Sequence, residues 1–219
     1  MIELLPESYV ARLDLPKIFG RAAPFHVDLG CGDGAFLFAL AERNPEKNFF
    51  GIERLAARVE KACRKAAKID NMRVLHAETS YAVRYLLPER AVETFYLLFP
   101  DPWPKRRHWR RRIVTADFLK AIHGALEGNG IFRIATDQAD YFNHIRKFAE
   151  ESDYFTVAPT NIDNGADGSR ATWTGNPERV DEACGESINH FPASTFEQRF
   201  RRRGVDIYRL ALRKLSPLM

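Results

Sequence analysis

Short apolar blocks alternate with amphipathic stretches along most of the chain. The blocks at 26–30, 48–52, 72–75, 94–99, 131–136, 154–158 and 205–213 have the length and composition of strands. Between them, 33–43, 54–68, 79–87, 115–126 and 138–151 carry apolar residues at helical spacing. In 54–68, Ala56, Val59, Cys63, Ala66 and Ala67 form one stripe, and Arg58, Lys61, Arg64, Lys65 and Lys68 take the other face. Asn44-Pro45 ends the first of these helices, and Glu127-Gly128-Asn129-Gly130 predicts a turn before Ile131. Alternation of this kind predicts an α/β, Rossmann-like fold: a mostly parallel seven-stranded sheet with helices on both faces. Ligands of such sheets bind beyond the C-terminal ends of the strands. Asp28, Glu53, Glu78, Asp101 and Asp137 all fall at or near such ends. A single strand-end acid is as readily a helix cap; five in register point to a site.

Two segments carry the candidate chemistry. His26 to Gly34 reads as a strand running into Gly30, Gly32 and Gly34 and then into the helical Ala35, Phe36, Leu37 and Leu40. The glycines permit positive φ and close approach of backbone to ligand, and the helix start behind them favours anionic groups. The Gly-x-Gly-x-Gly spacing differs from the dinucleotide fingerprint, and no Lys-Ser or Lys-Thr follows to make a phosphate loop. Glu53 lies 19 residues after Gly34, at the end of the next strand. An acid there can accept both ribose hydroxyls of an adenosyl ligand. The second segment is Phe99 to Arg112. Prolines at 100, 102 and 104 fix φ and push the preceding residues towards extended geometry, presenting Asp101 and Trp103 on a stiff, solvent-facing arm. Lys105, Arg106, Arg107, Arg110, Arg111 and Arg112 then crowd into eight positions with His108 and Trp109 between them. A strand end offering a carboxylate beside such a patch suits a polyanionic substrate; a basic solvated loop with a turn aspartate is the alternative.

Composition narrows the setting. The 219 residues fit one domain, 1–219, with a short N-terminal segment at 1–20 and an irregular Gly-, Asn- and Asp-rich insertion or loop at 161–192. Mean hydropathy is −0.35, and no apolar run reaches membrane-spanning length. Met1 to Leu4 lack the start of a secretory signal. Three scattered cysteines, at 31, 63 and 184, form neither a disulfide framework nor a metal-ligand pattern, so a cytoplasmic location and no metal are expected. Net charge is only +4, so the basic character is local: it lies in 105–112 and in 199–214, where seven Lys or Arg face the single acid Asp206.

With these residues in view, the chain from about Phe19 onward resembles the bacterial tRNA (guanine-N7)-methyltransferases, a class I methyltransferase family. Phe99-Pro100-Asp101-Pro102-Trp103 with Lys105, His108, Arg111 and Arg112 carries most of the likeness, supported by Ala135-Thr136-Asp137 and Phe196-Glu197-Gln198-Arg199. The resemblance implies S-adenosyl-L-methionine as cofactor, tRNA as partner and methyl transfer to N7 of the variable-loop guanine 46. It implies donor contacts from Asp28, Gly30, Gly32, Gly34, Glu53, Glu78 and Asp101. Lys105, Asp137, Ser194, Thr195, Phe196 and Glu197 would meet the guanine or the tRNA, with Asp101, Asp137 and Glu197 nearest the chemistry. Arg106, Arg107, Arg110, Arg111 and Arg112 would hold phosphates, and His108 would be a phosphate or a structural contact. The chain departs from the family pattern where Asp28 replaces the usual Glu, Glu78 the usual Asp, and Ser194-Thr195 the usual Thr-Lys.

Guanine N7 carries an in-plane lone pair and no proton, so the reaction needs alignment and charge stabilisation and no base. Asp137 and Glu197 are expected to accept the N1–H and N2–H bonds of guanine. Asp101 holds the donor's amino end or lines the methyl tunnel. Trp103 or Phe196 is expected to be the stacking platform for an unstacked base; Trp103 packing into the sheet edge is the alternative. Two other readings stay open. One is a methyltransferase acting on another nucleobase atom or on a small molecule, since Asp101-Pro102-Trp103-Pro104 approaches the Asp-Pro-Pro-aromatic turn of exocyclic-amine methylation. The scaffold could also serve as a non-catalytic RNA-binding module.

Overall fold

A computed structural model describes residues 2–4, 8, 10–158, 180–181, 186–187 and 192–215. The elements follow the alternation in the sequence: β1 (Glu3–Leu4), α1 (Leu15–Phe19), β2 (Phe25–Leu29), α2 (Ala35–Arg43), β3 (Asn48–Glu53), α3 (Ala56–Ala66), β4 (Met72–His76), α4 (Thr79–Tyr81), β5 (Val92–Leu98), α5 (Ala116–Ala125), β6 (Leu126–Thr136), α6 (Ala139–Glu150), β7 (Phe155–Val157), β8 (Val180–Asp181), β9 (Glu186–Ser187), α7 (Thr195–Arg202) and β10 (Tyr208–Lys214). The main sheet runs β1-β4-β3-β2-β5-β6-β10-β7. Its strands are parallel except β10, which pairs antiparallel with both β6 and β7. The seven expected strands are present, and the two-residue β1 adds an eighth at the edge beside β4.

Every residue of β2 and β3 is buried, as a parallel sheet covered on both faces requires. On one face Leu37, Leu40, Val59, Ala62 and Ala66 of α2 and α3 pack on Phe49, Met72, Val74 and Tyr96. On the other, Phe118, Leu119, Tyr141 and Ile145 of α5 and α6 cover Phe50, Phe95 and Phe132. The α3 stripe turns slightly from the expected one: Val59, Ala62 and Ala66 are buried, whereas Ala56 and Ala67 face solvent.

Several boundaries shift for identifiable reasons. Glu127 to Gly130 do not form a free turn. Leu126 pairs with Val92 and Ile131 with Thr94, so these residues bulge within β6. The 79–87 helix starts as α4 on its Glu78 cap and widens into a π turn over Ala82–Leu86. The α1 turn has too few residues to show a period. It is capped by Asp14, whose Oδ1 accepts from Lys17 N at 3.0 Å, and it ends at Gly20 with φ +69°. The α7 helix lies in the polar C-terminal third, where basic residues hide its period. Cys184 and most of 161–192 lie outside the described residues.

Candidate functional site

Strand order reverses between β2 and β5, and the C-terminal ends of these strands lie together. This is the switch point at which doubly wound sheets bind ligands. After β2 the chain makes a turn through Gly30, Gly32 and Gly34, with φ of +80°, +57° and +72°. A Cβ placed on Gly30 or Gly32 would meet nothing within 4 Å, so these two line open space. One on Gly34 would strike Ala62 Cβ at 2.9 Å, so Gly34 serves the close packing of the turn on α3. Gly51 on β3 is equally constrained, because a Cβ there would come within 2.6 Å of Cys31 Sγ. Cys31 is therefore buried packing, and burial pushes its thiol up.

Glu53 ends β3 and is buried, and its two oxygens hold three backbone donors. Oε2 accepts from Gly32 N at 3.1 Å, and Oε1 accepts from Arg54 N and Leu55 N at 2.8 Å each. The carboxylate thus ties the glycine turn to the start of α3. Asp28, beneath the same turn, is 3 % exposed. Burial, reinforced by the charge of Glu53, pushes its carboxyl up to about 8. The two acids and the open-faced glycines form an acidic cradle lined by backbone. Its donor set fits an adenosyl methyl donor: hydroxyl groups for Glu53 and a cationic amino group for Asp28. Glu78 is placed differently. It is exposed and caps α4, accepting from Ser80 N at 3.0 Å and Tyr81 N at 2.7 Å.

The next strand supplies the arm. Phe99 and Trp103, each preceding a proline, are not extended as expected but take φ of +53° and +42°. For bulky residues this geometry is strained, and such strain collects at functional turns. Asp101 stands exposed between them. Arg106–Arg111 then winds into a 3₁₀ turn, so the basic stretch is compact. Lys105, Arg106, Arg107, Arg110 and Arg111 are exposed. Arg112 is not, and its place among the phosphate-binding residues is corrected by the structure: at 4 % exposure it turns inward. Its Nε donates to Pro102 O at 2.8 Å, and its guanidinium lies between Trp109 (4.5 Å) and Tyr141 (4.6 Å). Burial pushes the guanidinium down from its usual value. Arg112 pins the root of the arm to α6. Arg107 Nε donates to His108 Nε2 at 3.2 Å, so that nitrogen is engaged within the arm. His108 packs edge-on against Trp103, and Arg111 lies 4.9 Å over the same indole. The arm's own residues therefore occupy Trp103.

Asp137 follows β6 and is half-buried. It does not cap α6, whose N-cap is Gln138. Gln138 Nε2 donates to Asp137 Oδ2 at 2.8 Å and orients the carboxylate. The C-terminal helix α7 rests on the start of the arm, since Phe200 and Phe196 pack on Phe99 at 5.2 and 6.4 Å. Ser194 caps α7, its Oγ accepting from Glu197 N at 3.1 Å, so this hydroxyl is engaged by the fold. Glu197 is buried, and its Oε1 accepts from both Arg201 and Arg209. Expected to face guanine, it instead locks α7 to β10. Thr195 is exposed and Phe196 is 44 % exposed, with Arg199 5.8 Å over its ring. Of the two candidate platforms, Phe196 is the more open. Sequence reasoning missed Arg112, Arg209 and Gln138 as supports, because pairings with such long separations or such ordinary residue types leave no motif.

Among the described residues there is no cluster of three His, Cys, Asp or Glu able to hold a metal, and no helix is long and apolar enough to cross a membrane.

Comparisons with known proteins bear on the fold and on the family. A solved 16S rRNA methyltransferase, KamB, superposes with TM-score 0.57 at 18 % identity, covering 92 % of both chains. The antibiotic-resistance methyltransferase Kmr superposes with TM-score 0.56 at 15 % identity, covering 96 % of both. At these identities the likeness concerns the fold. A family described as "Putative methyltransferase" matches residues 22–210. The tRNA (guanine-N(7)-)-methyltransferase of Thermotoga maritima is 39 % identical over 71 % of this chain and 50 % of its own length. That of Shewanella halifaxensis is 32 % identical over 98 % of this chain and 81 % of its own. The chain thus spans about half to four-fifths of the length of these relatives. The match to the family over 22–210, and the near end-to-end alignment with the Shewanella protein, show that the chain belongs to the tRNA (guanine-N7)-methyltransferase family.

Proposed function

We propose that this chain transfers the methyl group of S-adenosyl-L-methionine to N7 of a guanine in tRNA, the variable-loop guanine 46. The observation that carries the reading is the shared edge at the β2/β5 switch point: the acidic glycine cradle of Asp28, Gly30, Gly32 and Glu53 on one side, the strained Asp101 loop and its basic arm on the other.

The donor supplies an electrophilic methyl group, and the protein's work is to hold and align. Glu53 is placed to accept ribose hydroxyls while keeping the glycine turn in shape, and Asp28 faces the cationic amino end. Glu78, which caps α4 after β4, the strand next to that of Glu53, is assigned to the adenine side of the donor. Asp101 lies on the loop between donor and acceptor. Asp137, oriented by Gln138, accepts from the Watson–Crick edge of guanine and offsets the positive charge that builds on the methylated ring. Glu197 acts as a positioning residue that fixes α7, and through it Phe196 as the surface for the unstacked base. The exposed cations of the arm hold phosphates and set register without reading sequence. A tRNA substrate places the reaction in the cytoplasm.

Incubation with methyl-labelled donor and bulk tRNA, followed by digestion and nucleoside identification, tests the reading. The expected product is 7-methylguanosine. A label on an exocyclic amine would move the chain to the other chemistry of the Asp101 turn, and absence of transfer would leave an RNA-binding module.

A further inference from the structure

The helix α7 divides its charges by face. On the inner face Glu197 takes Arg201 and also Arg209 of β10, so those charges are compensated within the fold. On the outer face Thr195, Gln198, Arg199, Arg202 and Arg203 line a cleft of about 250 Å³. Among the described residues no carboxylate pairs with Arg199, Arg202 or Arg203, and Arg199 has only the Phe196 ring beside it. Three guanidinium groups crowded around one cleft repel one another, and this cost persists unless an anion enters. Arginines in this setting suit a phosphodiester, because each planar fork can meet two oxygens. Thr195 and the amide oxygen of Gln198, whose Nε2 donates to Ala193 O at 3.0 Å, add uncharged hydrogen-bonding groups that suit sugar hydroxyls. The placement is specific as well. Phe196 stands next to the cleft, under Arg199, and with Phe200 it seats the helix on Phe99, from which the first basic arm departs.

We infer that the outer face of α7 is a second binding site for the RNA phosphate backbone, distinct from the 105–111 arm, and that it grips the strand next to the nucleotide being methylated. This rests on the proposed tRNA reading for its substrate. The arm holds the RNA on the β5 side of the acceptor pocket, and α7 holds it on the β10 side. Two grips flanking one nucleotide oppose its re-stacking while it is out of the helix, because the backbone on either side is fixed.

The test uses Arg202→Gln/Arg203→Gln, exposed positions whose replacement leaves the Phe99 contacts and the Glu197 cluster intact. Binding of tRNA is measured against salt concentration, alongside donor binding and thermal stability. Expected are an unchanged melting temperature and donor affinity, and a log–log salt slope reduced by roughly 0.7–0.9 for each lost phosphate contact. A Michaelis constant for tRNA raised about ten-fold or more at near-physiological salt accompanies this. Removing the arm cations as well subtracts further from the slope, since the sites are separate. Arg202→Lys/Arg203→Lys restores most of the slope. An unchanged slope in the Gln variant overturns the site, even while wild-type enzyme makes 7-methylguanosine. Conversely, a reduced slope with no 7-methylguanosine from the wild type keeps the site and sinks the proposed reaction. Preference of the wild type for phosphatidylserine vesicles over tRNA, lost in the Gln variant, would assign the face to a membrane and overturn the inference.

Discussion

At the scale of single residues, Asp28 and Glu53 show how one turn can give two carboxyls different duties. The Glu53 carboxylate is supplied with three backbone N–H groups, which anchor it to the glycine turn and the start of α3. Asp28 is buried beside that charge, and its carboxyl is raised from 3.8 to about 8. A folded value above the unfolded one means that the folded state keeps a proton the unfolded chain has lost. The contribution of Asp28 to stability therefore falls as pH rises from about 4 towards 8. A cationic amino group placed beside it reverses the balance. Donor binding below pH 8 should then release a proton, and donor affinity should rise with pH and level off near 8. Calorimetry in two buffers of different ionisation enthalpy reads the release directly, and Asp28→Asn should abolish it. Equal heats in both buffers would show that Asp28 does not face the donor's charge. Glu53→Ala should weaken the donor by roughly 1.5–3 kcal/mol, as loss of charge-assisted hydrogen bonds does, and should lower the melting temperature because the glycine turn loses its anchor. For Asp137→Asn, single-turnover methyl transfer should fall about 10²-fold or more with tRNA binding retained; near wild-type transfer would refute its role.

Among the elements, the arm separates into a charged outside and a buried root. Arg107→Ala/Arg110→Ala should lower the salt slope of tRNA binding by about 0.9 or less per contact, with donor affinity and melting temperature unchanged. Arg112→Met should do the reverse, costing about 2–4 kcal/mol of stability through the lost Pro102 hydrogen bond and the Trp109–Tyr141 stack and leaving the slope alone. A slope that drops in Arg112→Met instead would return Arg112 to the phosphate-binding set. From the sequence alone Arg111 and Arg112 look alike, since burial is a property of where the chain turns back and not of residue type. The parallel strands and α2, α3, α5 and α6 were legible because burial on both sheet faces writes long apolar runs and one-sided burial writes a period. The helix α7 was not legible: its inner face is held by Glu197, Arg201 and Arg209, a polar cluster that mimics a solvated surface. The strained geometry of Phe99 and Trp103 was also hidden, because proline rules predict extension there and tertiary contacts override them.

Across the whole molecule, the end of the sheet away from the site carries its own electrostatic support. Buried His26 bridges Tyr96 Oη at 3.0 Å and Glu93 Oε1 at 3.1 Å, and Lys47 Nζ reaches the same Glu93 oxygen at 3.2 Å. The His26 hydrogen bond, with the nearby positive charges, pulls the Glu93 carboxyl down to about 2. A lowered folded value gives stability that is present above about 4.5 and lost as pH falls towards 2. Acid unfolding should steepen in that window, and Glu93→Gln should flatten it while lowering stability at neutral pH; an unaltered acid limb in the variant would remove Glu93 from the account. The topology has a consequence of another kind, for the order in which the chain can be made. Strand β10 enters between β6 and β7, and β7 has no other strand partner among the described residues. On the ribosome Val157 emerges about 57 residues before Lys214, an interval of roughly 3–11 s at ordinary elongation rates. Through that interval the edge of β6 stands open and β7 waits, so the nascent chain passes through its most aggregation-prone form shortly before its final strand arrives.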